Sequence, residues 1–134
     1  MSEEKSLTEQ HRAIVEDLYA AANRGDLEGA FANLAEDFIL DEPTFLPFGK
    51  VYHGLGEFRD LAPVLSNYLA VDEIVVHYTI ADGDRVAAIV GIPDRATGKL
   101  THLIELYTFK DGKIVQNQLF YHDAGTLTDL PKVV

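Results

Sequence analysis

Two carboxyl groups of this sequence stand in apolar surroundings, where acid–base chemistry is possible. Glu42 closes the segment FILDE, precedes Pro43 directly, and is followed by a second apolar stretch, TFLPF. Glu105 stands alone within the segment THLIELYTF. A carboxylate poised at a dry pocket has little solvation to reorganise and can move a proton efficiently. These two residues are therefore the first catalytic candidates.

Glu105 lies in a segment whose alternation is typical of a β-strand. A period of two places Tyr107 on the same face as Glu105, and Ile104 on the opposite face. An ionised and unpaired carboxylate among apolar neighbours is energetically costly. Glu105 is therefore expected to be protonated, to contact a ligand, or to pair with an arginine of an adjacent strand, Arg85 or Arg95.

A third carboxyl group, Asp123, falls near the end of the last predicted strand. The same alternation places it on one face with Asn117 and Tyr121. That face would bring an acid, an amide and a phenol together. The alternative is that Asp123 caps the turn formed by Ala124 and Gly125.

Two helices are predicted to precede these strands. Thr8 is suited to cap the first, and the apolar positions that follow have helical spacing until the segment 23–25, Asn-Arg-Gly, ends it. Asp26 is suited to cap a second, short helix that ends near Ala35. Together these residues predict a helical amino-terminal half.

A third helix and a group of strands follow. The sequence predicts a short strand at 38–40 and a helix that begins at Gly54, in which Pro63 either kinks the helix or divides it. From residue 71 onward the period changes to that of strands. Four strands are predicted, at 71–80, 85–93, 99–109 and 113–122. Helices followed by a meander of antiparallel strands predict an α+β fold, a curved sheet with helices on one face.

Length and composition limit the class of protein. The chain has 134 residues, which fits one domain, and 47% of them are hydrophobic, enough for a real core. The net charge of −11 argues against nucleic acid and anionic membranes as partners and favours a neutral or cationic small molecule. The absence of cysteine excludes disulfides and thiolate metal sites, and the five histidines show no close ligand spacing. We therefore expect no metal.

The sequence also predicts a location and an assembly. The first ten residues are acidic and polar, unlike a signal peptide, and no apolar run is long enough to span a membrane, so we expect a cytoplasmic protein. The last predicted strand carries Phe120 and His122 on the face away from the helices. A second subunit is the simplest cover for that face, which predicts a homodimer through the sheet.

Several segments resemble the SnoaL-like polyketide cyclases and ketosteroid isomerases of the nuclear transport factor two-like superfamily. The segment AANRGDLEGAFANLAEDFILDEP has their order of helix, GD turn, short helix, and strand ending in an acid and a proline. The turn YHG before the third helix, the hairpin DGKI and the closing YHDA agree with it. The resemblance spans about residues 7–127 and implies one domain over 1–134, a cone-shaped α+β barrel around an apolar pocket. It leaves the reaction open, since this fold serves many functions.

The resemblance also implies roles for the acids. Glu42 falls where ketosteroid isomerases place their carboxylate base, with Glu42 facing inward and Asp41 facing water. Glu105 falls on the acid that those enzymes hold protonated to stabilise a developing oxyanion, a case known from ketosteroid isomerase itself. Asp123 falls where SnoaL-like proteins commonly end the last strand, and in the cyclases a strand carboxylate acts as acid and base.

Other positions are implied as ligand contacts. The isomerases have an oxyanion-binding tyrosine on the first helix, and here Leu18 takes that place, so Tyr107 or Tyr121 is expected to supply the hydroxyl. Asn117 would orient polar atoms of the ligand. Two residues at the pocket mouth are further candidates, His53, which could instead cap the third helix, and Phe48, which could instead cover the core. Tyr19 and Phe31 are expected in the core.

These observations support three hypotheses. The first is a cofactor-independent enzyme, an isomerase, cyclase or dehydratase, that acts on a polyketide- or steroid-like carbonyl compound. The second is a non-catalytic module that binds an apolar small molecule. The third is a dimeric domain with a vestigial pocket. Carboxyl groups with raised pKa would favour the enzyme.

Overall fold

A computed structural model describes residues 6–134 and gives an α+β architecture, as the sequence predicts. Three helices, α1 (Leu7–Asn23), α2 (Leu27–Phe31) and α3 (Gly54–Leu65), precede most of the sheet. The sheet has six strands, numbered in chain order: β1 (Leu34–Asp41), β2 (Val51–His53), β3 (Val75–Asp82), β4 (Arg85–Pro93), β5 (Leu100–Lys110) and β6 (Lys113–Tyr121). The first two strands lie between α2 and α3, and the other four follow α3. A short 3₁₀ helix spans Gly125–Asp129.

The helices begin and end where side chains satisfy their terminal backbone groups. Ser6 caps α1 by accepting a hydrogen bond from the Glu9 amide, so the prediction of Thr8 as the cap is wrong. Thr8 instead accepts a hydrogen bond from the Gly83 amide. Asp26 caps α2 as predicted, through the Gly29 amide. The helix ends earlier than predicted because β1 already begins at residue 34.

The third helix is continuous. Pro63 lies in its last turn, where it neither divides the helix nor prevents it from reaching Leu65. The segment that follows forms a loop rather than the predicted start of a strand. Asn23 fixes that loop through two hydrogen bonds of 2.8 Å, one donated to the Ile74 carbonyl and one accepted from the Ile74 amide. Strand β3 therefore begins at Val75.

The strands form one open, twisted sheet in the order β2-β1-β6-β5-β4-β3. All neighbours are antiparallel except β1 and β6, which are parallel. On β5 the inner residues Leu103 and Tyr107 are buried, whereas His102 and Ile104 are exposed on the outer face. The helices therefore cover one face of a curved sheet, and the predicted assignment of faces on β5 is confirmed.

Within residues 6–134, no helix combines the length and the apolar character that a membrane crossing requires. The core lies between the helices and the inner face of the sheet. It includes Val15 of α1, Phe38 of β1, Leu61 of α3 and Val90 of β4. This packing leaves a cavity inside the cone.

Candidate functional site

The cavity has a volume of about 290 Å³ and an almost entirely apolar lining. Its apolar wall comes from all three helices and from the inner face of the sheet. The polar residues that reach it from the protein interior are Tyr19, Glu42, Glu105, Tyr107, Asn117 and Tyr121. An apolar pocket with a few convergent polar groups is the usual form of a small-molecule site.

Glu105 lies in the middle of β5 and accepts hydrogen bonds from three elements. The Tyr19 hydroxyl of α1 donates to its Oε2 at 2.8 Å, and Asn117 Nδ2 of β6 donates to its Oε1 at 2.9 Å. Tyr107, two residues along β5, has its hydroxyl 3.5 Å from the same Oε1 and donates to the Tyr19 hydroxyl at 2.8 Å. Neither Arg85 nor Arg95 pairs with Glu105 in the described chain.

Burial and hydrogen bonding act in opposite directions on Glu105. Burial raises the pKa of its carboxyl group, whereas the bonds from Asn117, Tyr19 and Tyr107 lower that pKa, and the net effect is upward. Burial, together with the charge of Glu105, raises the pKa of Tyr19 and of Tyr107 well above the usual range of a phenol. Both hydroxyls therefore remain protonated donors, and the carboxylate is the acceptor of the cluster.

Glu42 lies at the end of β1, where alternation along the strand turns it inward. Its side chain is 4% exposed and lines the cavity, so its predicted inward orientation is confirmed, while Asp41, predicted to face water, is half-buried and lies outside the cavity wall. One side-chain hydrogen bond reaches Glu42, from the Tyr121 hydroxyl to Oε1 at 3.3 Å. The Glu42 carboxyl group is therefore buried with much less support than that of Glu105.

The weak hydrogen-bond support of Glu42 is reflected in the pKa of its carboxyl group. Burial, with a further contribution from the charge of Glu105, raises the pKa of Glu42 to about 8. Two carboxyl groups that share one cavity repel each other when both are ionised. An ionised Glu105 therefore favours the protonated form of Glu42.

The loop after Glu42 is fixed by backbone and side-chain hydrogen bonds. The Glu42 amide donates to the Lys50 carbonyl at 3.1 Å, which ties the base of the loop. Position 49 of the loop requires glycine, because a Cβ there would lie 1.9 Å from the Pro43 carbonyl oxygen. Lys132 Nζ donates to three carbonyl oxygens of the loop, at 2.8–3.0 Å. The three accepting residues are Thr44, Leu46 and Gly49.

Four of the predicted ligand contacts line the cavity. Leu18, Tyr107, Asn117 and Tyr121 all belong to its wall. Tyr121 lies beside Glu42, whereas Tyr107 and Asn117 lie beside Glu105. The structure therefore brings the two predicted acids and three polar partners into one site.

Three predicted site residues lie elsewhere. Asp123 is exposed, and its Oδ1 accepts a hydrogen bond from the Gly125 amide at 2.8 Å, because β6 ends at Tyr121 and its alternation does not continue. The prediction that Asp123 faces the cavity is therefore wrong. His53 is exposed at the start of α3 and makes no side-chain cap bond. Phe48 is fully buried against Tyr68 and does not line the cavity.

One residue of the site was expected only in the core. Tyr19 lies next to Leu18 on α1, and a turn of about 100° separates neighbours on a helix. The tyrosine is buried, yet its hydroxyl donates to Glu105 and accepts from Tyr107. A phenol among apolar helical neighbours, opposite a strand with a lone acid, is the signal in the sequence that could have identified it.

Comparison with known proteins places the chain in a class and then in a family. Three solved structures share the fold. A nuclear transport factor two-like protein from Burkholderia xenovorans LB400 is 23% identical, with a TM-score of 0.69 over 85% of this chain and 90% of that one. A candidate ketosteroid isomerase from Kribbella flavida DSM 17836 is 20% identical, with a TM-score of 0.69 over 88% and 82%. AclR, a candidate hydroxylase from Streptomyces galilaeus, is 21% identical, with a TM-score of 0.67 over 86% and 90%.

These similarities show the fold, an α+β cone like that of nuclear transport factor two-like proteins. The family follows from the sequence, because the model of the SnoaL-like domain matches residues 15–117. This chain belongs to the SnoaL-like domain family, which confirms the resemblance noted in its motifs. No curated protein matches the sequence.

Proposed function

We propose that this protein is a cofactor-independent enzyme that moves a proton on a compact, hydrophobic carbonyl compound of polyketide- or steroid-like character. The reaction class is that of an isomerase, cyclase or dehydratase. The observation that carries the proposal is the pair Glu42 and Glu105, two buried carboxyl groups with raised pKa that line one apolar cavity. Such pairs, in environments that separate their proton affinities, supply an acid and a base at the same pH.

The hydrogen bonds suggest which carboxyl group does what. Glu105, the carboxylate supported by three donors, accepts a proton from the carbon beside the carbonyl group. Glu42, neutral at pH 7, donates its proton to the carbonyl oxygen, so an enol forms without a charged intermediate. Return of the proton from Glu105 to another carbon, while Glu42 takes back the proton from the enol oxygen, completes an isomerisation and restores both carboxyl groups. These roles are the reverse of those implied by the family resemblance.

The test uses exchange of protons beside a carbonyl group. A set of cyclic ketones of suitable size, with 2-tetralone as the first, is incubated with the protein in D₂O and followed by proton NMR. We expect exchange above the buffer rate, a loss of about 10²- to 10⁴-fold in Glu105→Gln, and a smaller loss in Glu42→Gln. Asp123→Asn is the matched control, since it removes an exposed carboxylate outside the cavity.

Two results would contradict the proposal. One is exchange no faster than in buffer with every ketone of the set. The other is equal exchange by the native protein and by Glu105→Gln, with circular dichroism showing both to be folded. Either result would leave the fold assignment intact.

The second candidate is a non-catalytic binder of an apolar molecule. The observation that favours it is that the hydroxyls of Tyr19 and Tyr107 donate within the Glu105 cluster rather than to a ligand. Carbon-13 NMR titration of the glutamates separates the two functions. Ordinary pKa values for Glu42 and Glu105 would favour the binder. The open cavity is unlike that of a domain with a vestigial pocket.

We also propose that the protein forms a homodimer through the outer face of the sheet. The strand register aligns Tyr78, Ile89, Ile104 and Phe120 in one row across four strands. Of these, Tyr78 and Phe120 are 58% and 48% exposed. A contiguous apolar row of this kind is typical of a protein interface.

Light scattering after gel filtration tests the assembly. Ile104→Glu places a charge in the middle of the row and is expected to give monomers, because an unpaired charge buried in an interface is costly. Leu7→Glu is the control, since Leu7 is exposed on α1, away from this face. A native protein that elutes as a monomer would contradict the proposal.

A further inference from the structure

Asn117 presents a buried acceptor that the cavity wall does not satisfy. Its side chain lines the cavity and is 5% exposed. Its Nδ2 donates to Glu105, but its Oδ1 is buried and has no hydrogen-bond partner among residues 6–134. Buried polar atoms without partners are rare and costly, and each one calls for an explanation.

The orientation of this amide is fixed by Glu105. Oε1 of the carboxylate lies 2.9 Å from Nδ2 of Asn117. The reversed amide would place two acceptor oxygens against each other at that distance. Since the carboxylate requires a donor there, Nδ2 faces Glu105 and Oδ1 faces away from it.

The backbone gives Oδ1 little freedom to find another partner. Asn117 lies near the middle of β6, in register with Leu40 of β1 on one side and with Tyr107 of β5 on the other. The two hydroxyls of the Glu105 cluster are already engaged, because Tyr107 donates to Tyr19 and Tyr19 donates to Glu105. The unpaired oxygen is thus held by a rigid element beside the group proposed as the base.

We propose that Asn117 Oδ1 accepts a hydrogen bond from a hydroxyl group of the ligand, and that this contact selects hydroxylated compounds. A hydroxyl is a neutral donor, which suits a cavity whose wall is mostly apolar. A ligand that fills the cavity without a donor leaves this acceptor unpaired and binds less tightly for that reason. If the proposed function holds, the substrates are hydroxy ketones and phenolic ketones. The preference for binding hydroxylated compounds does not depend on the proposed function.

Binding of two matched probes tests the inference without any turnover. The probes are 2-naphthol and 2-methylnaphthalene, which differ in a hydroxyl against a methyl group of similar size. We expect the native protein to bind 2-naphthol about tenfold more tightly, as measured by fluorescence titration. Asn117→Leu should lose this preference. Asn117→Ala serves the same purpose if the leucine variant does not fold.

Two further variants control for other acceptors. Asn117→Asp keeps an acceptor at this position and should keep the preference for 2-naphthol at low pH, where the new carboxyl group is protonated and donates to Glu105 as Nδ2 does. Tyr121→Phe changes a hydroxyl that bonds to Glu42 and not to Asn117, and it should keep the preference too. A preference that survives in both Asn117→Leu and Asn117→Ala would overturn the inference, because the hydroxyl would then be held elsewhere.

Equal binding of the two probes by the native protein, or no binding of either up to its solubility limit, would also overturn the inference. These outcomes are separate from those of the exchange assay. A protein that prefers 2-naphthol but exchanges no protons would retain the inference and lose the proposed function. A protein that exchanges protons without the preference would do the opposite.

Discussion

The two ends of the polar part of the cavity hold the same residue type in different surroundings. Glu105 lies in the middle of the sheet and accepts hydrogen bonds from a helix and from two strands. Glu42 directly follows β1, before a loop, and among residues 6–134 it accepts one side-chain hydrogen bond, of 3.3 Å. Both are almost fully removed from water.

The two carboxyl groups therefore differ in the hydrogen-bond donors that surround them rather than in their burial. Burial raises the pKa of each, but the bonds of 2.8 and 2.9 Å from Tyr19 and Asn117, with a weaker contact from Tyr107, counteract it at Glu105, and one bond of 3.3 Å does so at Glu42. The first group to ionise then raises the pKa of the second through its charge. The cavity as a whole titrates as a coupled pair.

The largest expected effect is on stability, through Glu42. Its folded pKa of about 8 exceeds its ordinary value of 4.5, so the native state keeps a proton that the unfolded chain releases. Stability contributed by this group is therefore complete below about pH 4.5 and declines as the pH rises to about 8. Glu42→Gln removes this decline and should exceed the native protein in stability by a few kcal/mol at about pH 9.

Urea unfolding at about pH 4 and about pH 9 measures this difference. The two proteins should have similar stability at the lower pH, because Glu42 is neutral there in both states. A difference that does not change with pH would show that Glu42 titrates normally, and the contrast with Glu105 would disappear.

The next effect is on the pKa of Glu42 itself. Glu105→Gln removes the charge that opposes ionisation of Glu42, so the pKa of Glu42 should fall from about 8 toward its ordinary value without reaching it, since burial remains. Carbon-13 NMR titration of the glutamate side chains measures this change. Asp41→Asn is the matched control, because Asp41 makes the smallest contribution to the pKa of Glu42 and should change it little.

A smaller effect is expected when one donor is removed from Glu105. Tyr19→Phe deletes the 2.8 Å bond to Oε2 while the bond from Asn117 remains, so the pKa of Glu105 should rise. The expected rate loss in ketone exchange is about tenfold at neutral pH, as for a hydrogen bond to a charged group. The acid limb of the pH–rate profile should move to higher pH. An unchanged limb would mean that the tyrosine does not support the carboxylate.

The smallest effect belongs to Tyr121→Phe. The hydroxyl that it removes lies 3.3 Å from Glu42, near the limit of a hydrogen bond, and lowers the pKa of Glu42 only against two larger causes. We expect the pKa of Glu42 to rise slightly and the exchange rate to change by less than about threefold. A loss of exchange rate as large as that of Tyr19→Phe would mean that hydrogen bonds support Glu42 as strongly as they support Glu105.

Much of this arrangement could be predicted from the sequence where a local pattern determines it. Alternation along β1 and the following proline place Glu42 inward, and alternation along β5 does the same for Glu105. The same rule failed for Asp123, since it holds only while the strand continues, and β6 ends two residues earlier. Strand β2 was missed because three residues are too few to show a period.

The roles of the two acids could not be predicted in this way. They depend on which side chains of α1, β5 and β6 meet at Glu105, and that depends on how the helix packs across the sheet. A rotation of one residue along α1 decides whether Leu18 or Tyr19 reaches the acid. Only the assembled structure places the Tyr19 hydroxyl 2.8 Å from Glu105.

The bond between Lys132 and the loop after Glu42 has a consequence for how the protein is made. Its two ends are separated by as many as 88 residues, so it is among the most distant contacts in the chain. On the ribosome residue 42 is synthesised early, but the hydrogen bonds from Lys132 to the loop that follows it cannot form until residue 132 has emerged. The loop should therefore remain unfixed while the strands between these residues are being synthesised.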